Sequence, residues 1–463
     1  MSDKRQKIQL QLAFDLDAKG EAPSARSRDE SLTVKNEPSV SANGTEHLLE
    51  EICDAENLKK AMERVIDNDG APGIDRISVN DLRAELRRRW PKMKEELYAG
   101  TYKPQPVRRV EIPKATGGFR KLGIPTVTDR FLQQAVMQIL QQRFDPTFSE
   151  YSYGFRPGRN AHQAVEKARE YILTGHTTVV DIDLEKFFDR VNHDILMSLL
   201  AKRISDKRVL KLIRAFLNAG VMENGLVSST EEGTPQGGPL SPLLSNVMLD
   251  VLDRELTARS MRFVRYADDC NIYVSSERAG HRVMENITKF LTRKLKLKVN
   301  ESKSAVARPW ERKFLGFTFL NTEKAHRTIA PAAIERFRQK VRKITRRQGG
   351  RSMEQTIACL KPYLVGWRGY FRHCDTPSAL RDLEGWVRRR LRALAWAQWK
   401  TPSNRHDQLR RCGVSVPEAS RAVAAARNIA AWGMSHTPQL DRALPNAYFT
   451  KLGVTTRAPP RPR

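Results

Sequence analysis

The sequence predicts an α+β fold, and three observations carry that prediction. Residues 263–274, Phe-Val-Arg-Tyr-Ala-Asp-Asp-Cys-Asn-Ile-Tyr-Val, place two runs of strand-forming side chains around a turn at Ala267, Asp268 and Asp269. Residues 179–189, Val-Val-Asp-Ile-Asp-Leu-Glu-Lys-Phe-Phe-Asp, read as a β-branched strand that ends in carboxylates. Around these strands apolar residues recur at helical spacing, most clearly in a basic C-terminal third.

Composition narrows the function. The 463 residues suffice for two to four domains, and 40% hydrophobic content allows a proper core. The 81 Lys and Arg outnumber the 53 Asp and Glu, leaving a net charge of +28 and pointing to a polyanionic partner. Residues 331–463 contain 27 Lys and Arg against 8 Asp and Glu, so most of the excess lies there and the main nucleic-acid grip is expected there. No apolar run approaches the roughly 18 residues that span a bilayer, and Met1 to Leu16 lacks a signal-peptide core. Nucleic acid in the cytoplasm is therefore favoured over a membrane surface. The five cysteines are scattered, without a Cys-x-x-Cys pair, which disfavours a zinc site or a disulfide framework.

Residues 1–46, polar and aperiodic, read as a disordered tail. Helical spacing begins at His47 with Leu48, Leu49, Ile52, Leu58, Ala61 and Val65. The run Asp69-Gly70-Ala71-Pro72-Gly73-Ile74-Asp75 is a loop, and a second helix follows from Val79 to about Leu97. Val107 to Lys114 and Phe119 to Pro125 read as a basic hairpin about Gly117-Gly118. A helix covers Thr126 to Gln142, with Phe131, Ala135, Val136 and Ile139 inward. Residues 151–160, Tyr-Ser-Tyr-Gly-Phe-Arg-Pro-Gly-Arg-Asn, interleave aromatics with Arg and Gly, a pattern suited to stacking bases and holding phosphates.

Ser205 and Asp206 open a helix that Gly220 closes. In Gly233-Thr234-Pro235-Gln236-Gly237-Gly238-Pro239-Leu240-Ser241-Pro242, the glycines would let backbone approach a base pair, and Ser241 would cap the next helix. Leu295 to Ser304 reads as a short strand and turn, and Phe314 to Phe319 as another strand. Pro331 marks a helix start, with Ile334, Phe337, Val341 and Ile344 inward. Leu383, Val387, Leu391 and Leu394 form a second stripe, with Arg388, Arg389 and Arg392 turned away from it. Trp367 and Tyr370 read as core residues. Beyond Cys412 lie a small Ala-rich helix around Ala422 to Ala431 and a Pro/Arg tail.

The carboxylates suggest the chemistry. Adjacent like charges repel unless a cation sits beside them. Two strands that bring carboxylates to one point build the hard-oxygen site that Mg²⁺ prefers. Two such ions about 4 Å apart catalyse in-line phosphoryl transfer. Asp181 and Asp183 share a strand face, so both are candidates on the first strand.

In these boxes and their order, from about residue 47 to the C-terminus, the chain resembles reverse transcriptases. It resembles in particular the reverse transcriptase–maturases of bacterial group II introns, in the branch lacking an endonuclease domain. The resemblance implies a right-hand polymerase: fingers and palm over 47–320 with an antiparallel split-βαβ sheet, and an α-helical thumb or maturase domain over 321–411. It also implies a small, basic, DNA-binding-like helical region over 412–463. Asp183, Asp268 and Asp269 would be catalytic and, with the Leu184 carbonyl, would hold two Mg²⁺ ions, Mn²⁺ being a possible substitute; Asp181 is the runner-up to Asp183. Lys114, Arg120, Gln236, Gly237 and Lys303 would touch the incoming nucleotide, and Phe188 would exclude a ribose 2′-hydroxyl. Lys303 would also protonate the leaving pyrophosphate. Tyr153, Arg156, Arg159, Arg388, Arg389 and Arg392 would bind nucleic acid. The implied partners are group II intron RNA, an RNA template with a DNA primer, target DNA and deoxynucleoside triphosphates. A non-catalytic splicing cofactor, or a reverse transcriptase recruited to a defence or diversity-generating system, would share much of this pattern.

Overall fold

The computed structural model describes residues 44–113, 119–223, 226–228, 232–233, 237–346, 350–426 and 430–454. All but the last three residues of the expected disordered tail lie outside these segments, as do Lys114, the Gly117-Gly118 turn and Gln236. The chain divides into two compact units, Met1–Arg312 and Lys313–Arg463.

The first unit opens with α1 (Leu48–Ile52), α2 (Ala55–Asp67) and α3 (Leu82–Ala99), then β1 (Val107–Pro113), β2 (Phe119–Ile124) and α4 (Val127–Phe144). It continues with α5 (Ala161–Leu173), β3 (Thr178–Ile182), α6 (His193–Ala201), α7 (Lys207–Leu217), β4 (Val221–Glu223) and β5 (Leu226–Ser228). It ends with α8 (Ser241–Ala258), β6 (Arg262–Tyr266), β7 (Asp269–Val274), α9 (Glu277–Phe290) and β8 (Ala305–Ala307). Local chemistry sets most helix starts. The side chains of Asp54, Thr126, Asn160 and Asp206 each accept a backbone N–H from the first turn of the helix that follows.

The helix after the glycine-rich box departs from expectation. Ser241 does not cap it; Leu240 holds that position without a side-chain bond, and Ser241 is already helical. Pro242, in the first turn, has no N–H and so removes one of the donors a cap would satisfy. The helix α4 is buried on nearly every side rather than along one stripe. Two of its buried polar residues are paired inside: Asp129 accepts from Tyr102 Oη at 2.8 Å, and Gln138 Nε2 donates to Asn57 Oδ1 at 2.7 Å.

Two sheets follow. One has the order β2-β1-β4-β5, with β1 and β2 antiparallel and β1 and β4 parallel. The other, β6-β7-β3-β8, is antiparallel throughout. Its strands run through the chain as one strand, helices, a hairpin, a helix and a last strand, the order of a split-βαβ unit. Its edge strand β8 lies beyond the expected Leu295–Ser304 strand, of which only an isolated bridge, Val299 to Leu184, is strand-like.

The second unit holds β9 (Phe317–Phe319), β10 (Arg327–Ile329), α10 (Pro331–Ile344), α11 (Met353–Phe371), α12 (Pro377–Gln398), α13 (Pro402–Arg411) and α14 (Val416–Ala425). Short helices α15 (Ala431–Met434), α16 (Pro438–Ala443) and α17 (Asn446–Lys451) complete it. Its core gathers Phe337, Val341, Leu364, Val387, Leu391, Trp396 and Phe449. Trp367 packs there as expected, its ring 4.4 Å from that of Phe337. The strand expected over Phe314–Phe319 is shorter and pairs with β10, because Arg327–Ile329 returns antiparallel beside it. The Ala-rich helix starts earlier than expected, at Val416 with Pro417 in its first turn, and residues 427–429 of its expected span lie outside the described segments. Among the described residues no helix is long and apolar enough to cross a membrane.

Candidate catalytic and nucleic-acid site

The hairpin of β6 and β7 pairs Tyr266 with Asp269, which leaves Ala267 and Asp268 as a two-residue loop. Ala267 has φ +56°, the sign the first loop residue of a tight hairpin needs when its twist matches the strands. On the other side of β7, β3 ends at Ile182 opposite Cys270. Asp183, the next residue, therefore stands at the same edge of the sheet as Asp269, with Asp268 in the adjoining loop. Asp268 is half-buried and Asp269 exposed. Cys270 is buried behind them, and that burial pushes its thiol well above the ordinary range, so it stays a neutral packing residue.

Asp183 is held by the segment that precedes β8. Its N–H donates to Ser304 Oγ at 2.9 Å, and its carbonyl accepts from the N–H of Asn300 at 2.8 Å. Lys303 Nζ lies 3.6 Å from Asp183 Oδ1. Arg312 braces this segment by donating to the Lys303 carbonyl and, from Nε at 2.9 Å and Nη2 at 2.6 Å, to Asp181 Oδ2. Of the two competing aspartates, Asp181 thus lies within the strand in an arginine pair, and Asp183 lies at the edge. Among the described residues no three Asp, Glu, His or Cys side chains are gathered closely enough to hold a metal ion. The register brings the carboxylates to one edge without closing them into a shell.

The residue that sequence reasoning missed is Arg265, fully buried under the hairpin loop. Its Nε and Nη2 donate to the two carboxylate oxygens of Asp253, at 2.7 and 2.6 Å. Nη1 donates to Asn246 Oδ1 at 3.0 Å and to the Ala267 carbonyl at 2.8 Å, and Nη2 also reaches Ser152 Oγ at 2.8 Å. All five N–H donors of the guanidinium are therefore matched. Burial raises the Asp253 carboxyl against the pull of Arg265, while Asp253 outweighs burial and holds Arg265 in its charged form. The local sign of Arg265 was weak, since an arginine beside a hairpin tip is ordinarily a solvated strand residue.

The aromatic box packs against the same loop. Tyr153 N–H donates to the Arg265 carbonyl at 2.9 Å, and Asn246 Nδ2 donates to the Gly154 carbonyl at 2.9 Å. A Cβ on Gly154 would lie 2.2 Å from the Ala267 nitrogen. Gly154→Ala should therefore destabilise the protein by about 1–3 kcal/mol. Urea unfolding measures this, and an unchanged midpoint would mean that the hairpin loop moves aside freely.

Other expected contacts are placed differently. Arg156 is buried, bonded to the Asp145 carboxylate and the Ser149 and Ser152 carbonyls, so it ties the box together instead of facing phosphate. Tyr153 is buried, with the Arg159 guanidinium 5.4 Å from its ring centre. Arg392 does not turn away from the core: it is buried, bonded to the Leu444 carbonyl and paired with Asp441 at 2.8 Å. Arg388 pairs with Glu384 at 3.0 Å, and Arg389 lies 4.3 Å from the Trp432 ring centre. Leu184 is buried and bridged to Val299, and Phe188 is half-buried, edge-on to Phe187 at 5.3 Å. Gly237 leaves room for the Gly123 carbonyl and Gly238 for Gln133, so the close approach these glycines permit is to protein. Arg120 lies on β2, opposite Ile112.

The sequence is similar to several known proteins. A sequence model of the reverse transcriptase (RNA-dependent DNA polymerase) family matches residues 112–319, and one of the group II intron maturase-specific domain matches residues 334–413. Protein YkfC of Escherichia coli (strain K12) is 32% identical over 324 residues, 61% of this chain and 83% of that protein. Group II intron-encoded protein LtrA of Lactococcus lactis subsp. cremoris is 37% identical over 223 residues, 48% of this chain and 36% of LtrA. The putative COX1/OXI3 intron 2 protein of Saccharomyces cerevisiae is 32% identical over 213 residues, 44% of this chain and 24% of that protein. The chain thus spans most of YkfC but well under half of the intron-encoded relatives. A chain of a partial Cas6-RT-Cas1--Cas2 complex matches at 22% identity and a TM-score of 0.35, over 53% of this chain and 42% of that one, too loosely to add to the fold. From the two matched domains in order and the extent of the match to YkfC, the chain belongs to the reverse transcriptase family, in the group that carries a group II intron maturase-specific domain.

Proposed function

We propose that this reverse transcriptase copies RNA into DNA at the edge where β3 meets the β6–β7 hairpin, and that the same protein binds a group II intron RNA and promotes its splicing. The observation that supports the chemistry best is the register that puts Asp183 beside Asp268 and Asp269. The first unit acts as fingers and palm, and the second as a basic thumb and maturase region laid along template–primer duplex or intron RNA. The substrates are an RNA template with a DNA primer and the four deoxynucleoside triphosphates. Target DNA enters when the intron moves to a new site.

The donors at the edge suit a hard divalent cation: three carboxylates and the Leu184 carbonyl, all oxygen. The Lys303 ammonium, 3.6 Å from Asp183 Oδ1, is one positive charge already placed beside these carboxylates. Asp183, Asp268 and Asp269 would hold two Mg²⁺ ions, which Mn²⁺ could replace. When bound, these ions stabilise the charge that develops on the entering and leaving oxygens. The chain's own residues do the rest. Lys303 faces the triphosphate and can give a proton to the leaving pyrophosphate. Arg120 would offer a planar fork to phosphate oxygens, and Lys114 would add a second cation to the same contact. Gln236 and the exposed Gly237 would face the nascent pair from the other side.

Primer extension on an RNA template, with Mg²⁺ and all four deoxynucleotides, tests this reading. A purified protein that bound intron RNA and assisted splicing but never extended a primer would be a splicing cofactor instead.

Sugar selection falls to Phe188, five residues past Asp183. Attraction cannot easily favour the smaller deoxyribose, so steric rejection is the economical route. Phe188→Ala should raise ribonucleotide relative to deoxynucleotide incorporation roughly tenfold or more. Single-nucleotide extension with each ribonucleotide and its deoxy counterpart measures the ratio. An unchanged ratio in an active variant would make Phe188 a packing residue only.

A further inference from the structure

The aromatic box holds three rings, and the structure sorts them. Tyr151 is half-buried, edge-on to Phe263 at 5.3 Å and close to Tyr171. Tyr153 is 6% exposed and lies under Arg159. Phe155 alone shows its ring to solvent, at 39% exposure.

Its backbone is also unusual. Phe155 has φ +59°, a left-handed conformation that bulky side chains rarely adopt and that Gly or Asn tolerates. The chain holds it there from both sides. Before it, Gly154 lies against the Ala267 nitrogen, and its carbonyl accepts from Asn246. After it, Arg156 is buried on Asp145, and the Phe155 carbonyl accepts from Gln141 Nε2 at 3.3 Å. Neither the backbone conformation nor burial of the ring favours phenylalanine at this position. Strain of this kind collects at functional sites. Here it fixes an exposed aromatic ring one residue from the glycine that touches the Ala267–Asp268 loop.

We propose that Phe155 is a stacking platform for an unpaired base of the RNA template as it enters the catalytic edge, an assignment that rests on the polymerase reading above. Every nucleobase has a π-face, so one ring serves all four template letters without imposing a sequence. A base already paired with the primer is stacked within the duplex, whereas the template ahead of the primer end has open faces. The neighbouring Pro157 and Gly158 are exposed and Arg159 is half-exposed, so a strand has access to the ring.

The test uses the full-length protein and three forms: wild type, Phe155→Asn and Phe155→Trp. Asn accepts the left-handed backbone but cannot stack as a ring does; Trp keeps a ring. Two RNA–DNA duplexes serve as probes, one with a single-stranded template overhang and one blunt. Phe155→Asn should melt no lower than wild type, yet bind the overhang substrate roughly five- to a hundredfold more weakly. Its affinity for the blunt duplex should be unchanged, and Phe155→Trp should keep wild-type affinity for both. An Asn variant that melted lower and bound the overhang as tightly as wild type would overturn the proposal, and Phe155 would be packing only. Equal weakening on both probes would also overturn it, by placing the ring against duplex. A wild-type protein that extended no primer would remove the polymerase reading, and the overhang-to-blunt comparison would still report on Phe155.

Discussion

Asp268→Asn should abolish Mg²⁺-dependent primer extension while leaving RNA binding intact. The substitution keeps the size and shape of the side chain and one of its oxygen acceptors. It removes a unit of negative charge from an edge where Asp183 and Asp269 also stand. Asn is also at ease in a hairpin loop, so the turn itself should persist. Substitution of groups that only support a metal's ligands already costs 10- to 100-fold in affinity or activity, as a rough guide. Loss of a ligand carboxylate should exceed that, and extension at saturating nucleotide should fall by at least about a hundredfold. RNA affinity should stay within about twofold, since the phosphate grip depends on the basic surface and residues 331–463 carry 27 Lys and Arg against 8 Asp and Glu. Extension assays across a Mg²⁺ titration, with filter binding of intron RNA alongside, separate the two quantities. Near-normal extension would remove Asp268 from the metal-binding set. Loss of RNA binding in step with extension would mean that the substitution had unfolded the protein.

The carboxylate edge was legible in the sequence because its signals are local. A strand pattern on either side of Asp268 fixes the hairpin, and a β-branched run fixes where β3 ends. The partners of those elements were not legible, because they lie far away along the chain. Arg265 meets Asp253 on a helix twelve residues earlier, Asn246 farther back on the same helix, and Ser152 in the aromatic box. Sequence shows where charges are but not what covers them. Arg156 and Arg392, read as phosphate contacts, are enclosed by carboxylates and carbonyls. Arg392 directly follows core Leu391 on a helix whose other side is covered by the chain around Leu444 and Asn446, which no periodicity within the helix could disclose. The strand expected over Phe314–Phe319 is present only as Phe317–Phe319 for a related reason: a short apolar run says strand but not how much of it pairs, and its pairing partner is Arg327–Ile329.

Arg265 gives the second large expected effect, and two variants together decide what it does. The clamp joins β6, α8 and the aromatic box to the carbonyl of Ala267, the loop residue just before Asp268. Arg265→Met leaves the Asp253 carboxylate, fully buried, without its counter-charge. Breaking a buried pair on one side destabilises by about 3–5 kcal/mol, so this variant should unfold at much lower urea concentration and lose extension. That result alone would not separate support of the fold from positioning of the loop. The double variant Arg265→Met with Asp253→Leu does. Replacing both buried charges by apolar side chains of similar volume is often neutral or stabilising, so most of the lost stability should return. The bond to the Ala267 carbonyl does not return. Extension by the refolded double variant should stay at least about tenfold below wild type, with a higher Mg²⁺ requirement, because a ligand without its orienting partner holds the ion less well. Nucleotide KM measured at saturating Mg²⁺ should change less than kcat. Arg265→Lys gives the intermediate case, since it keeps the charge but not the fork that reaches both Asp253 and Ala267. If the double variant regained both stability and wild-type extension, Arg265 and Asp253 would be a structural pair only, and the direction of Asp268 would be set by the hairpin itself.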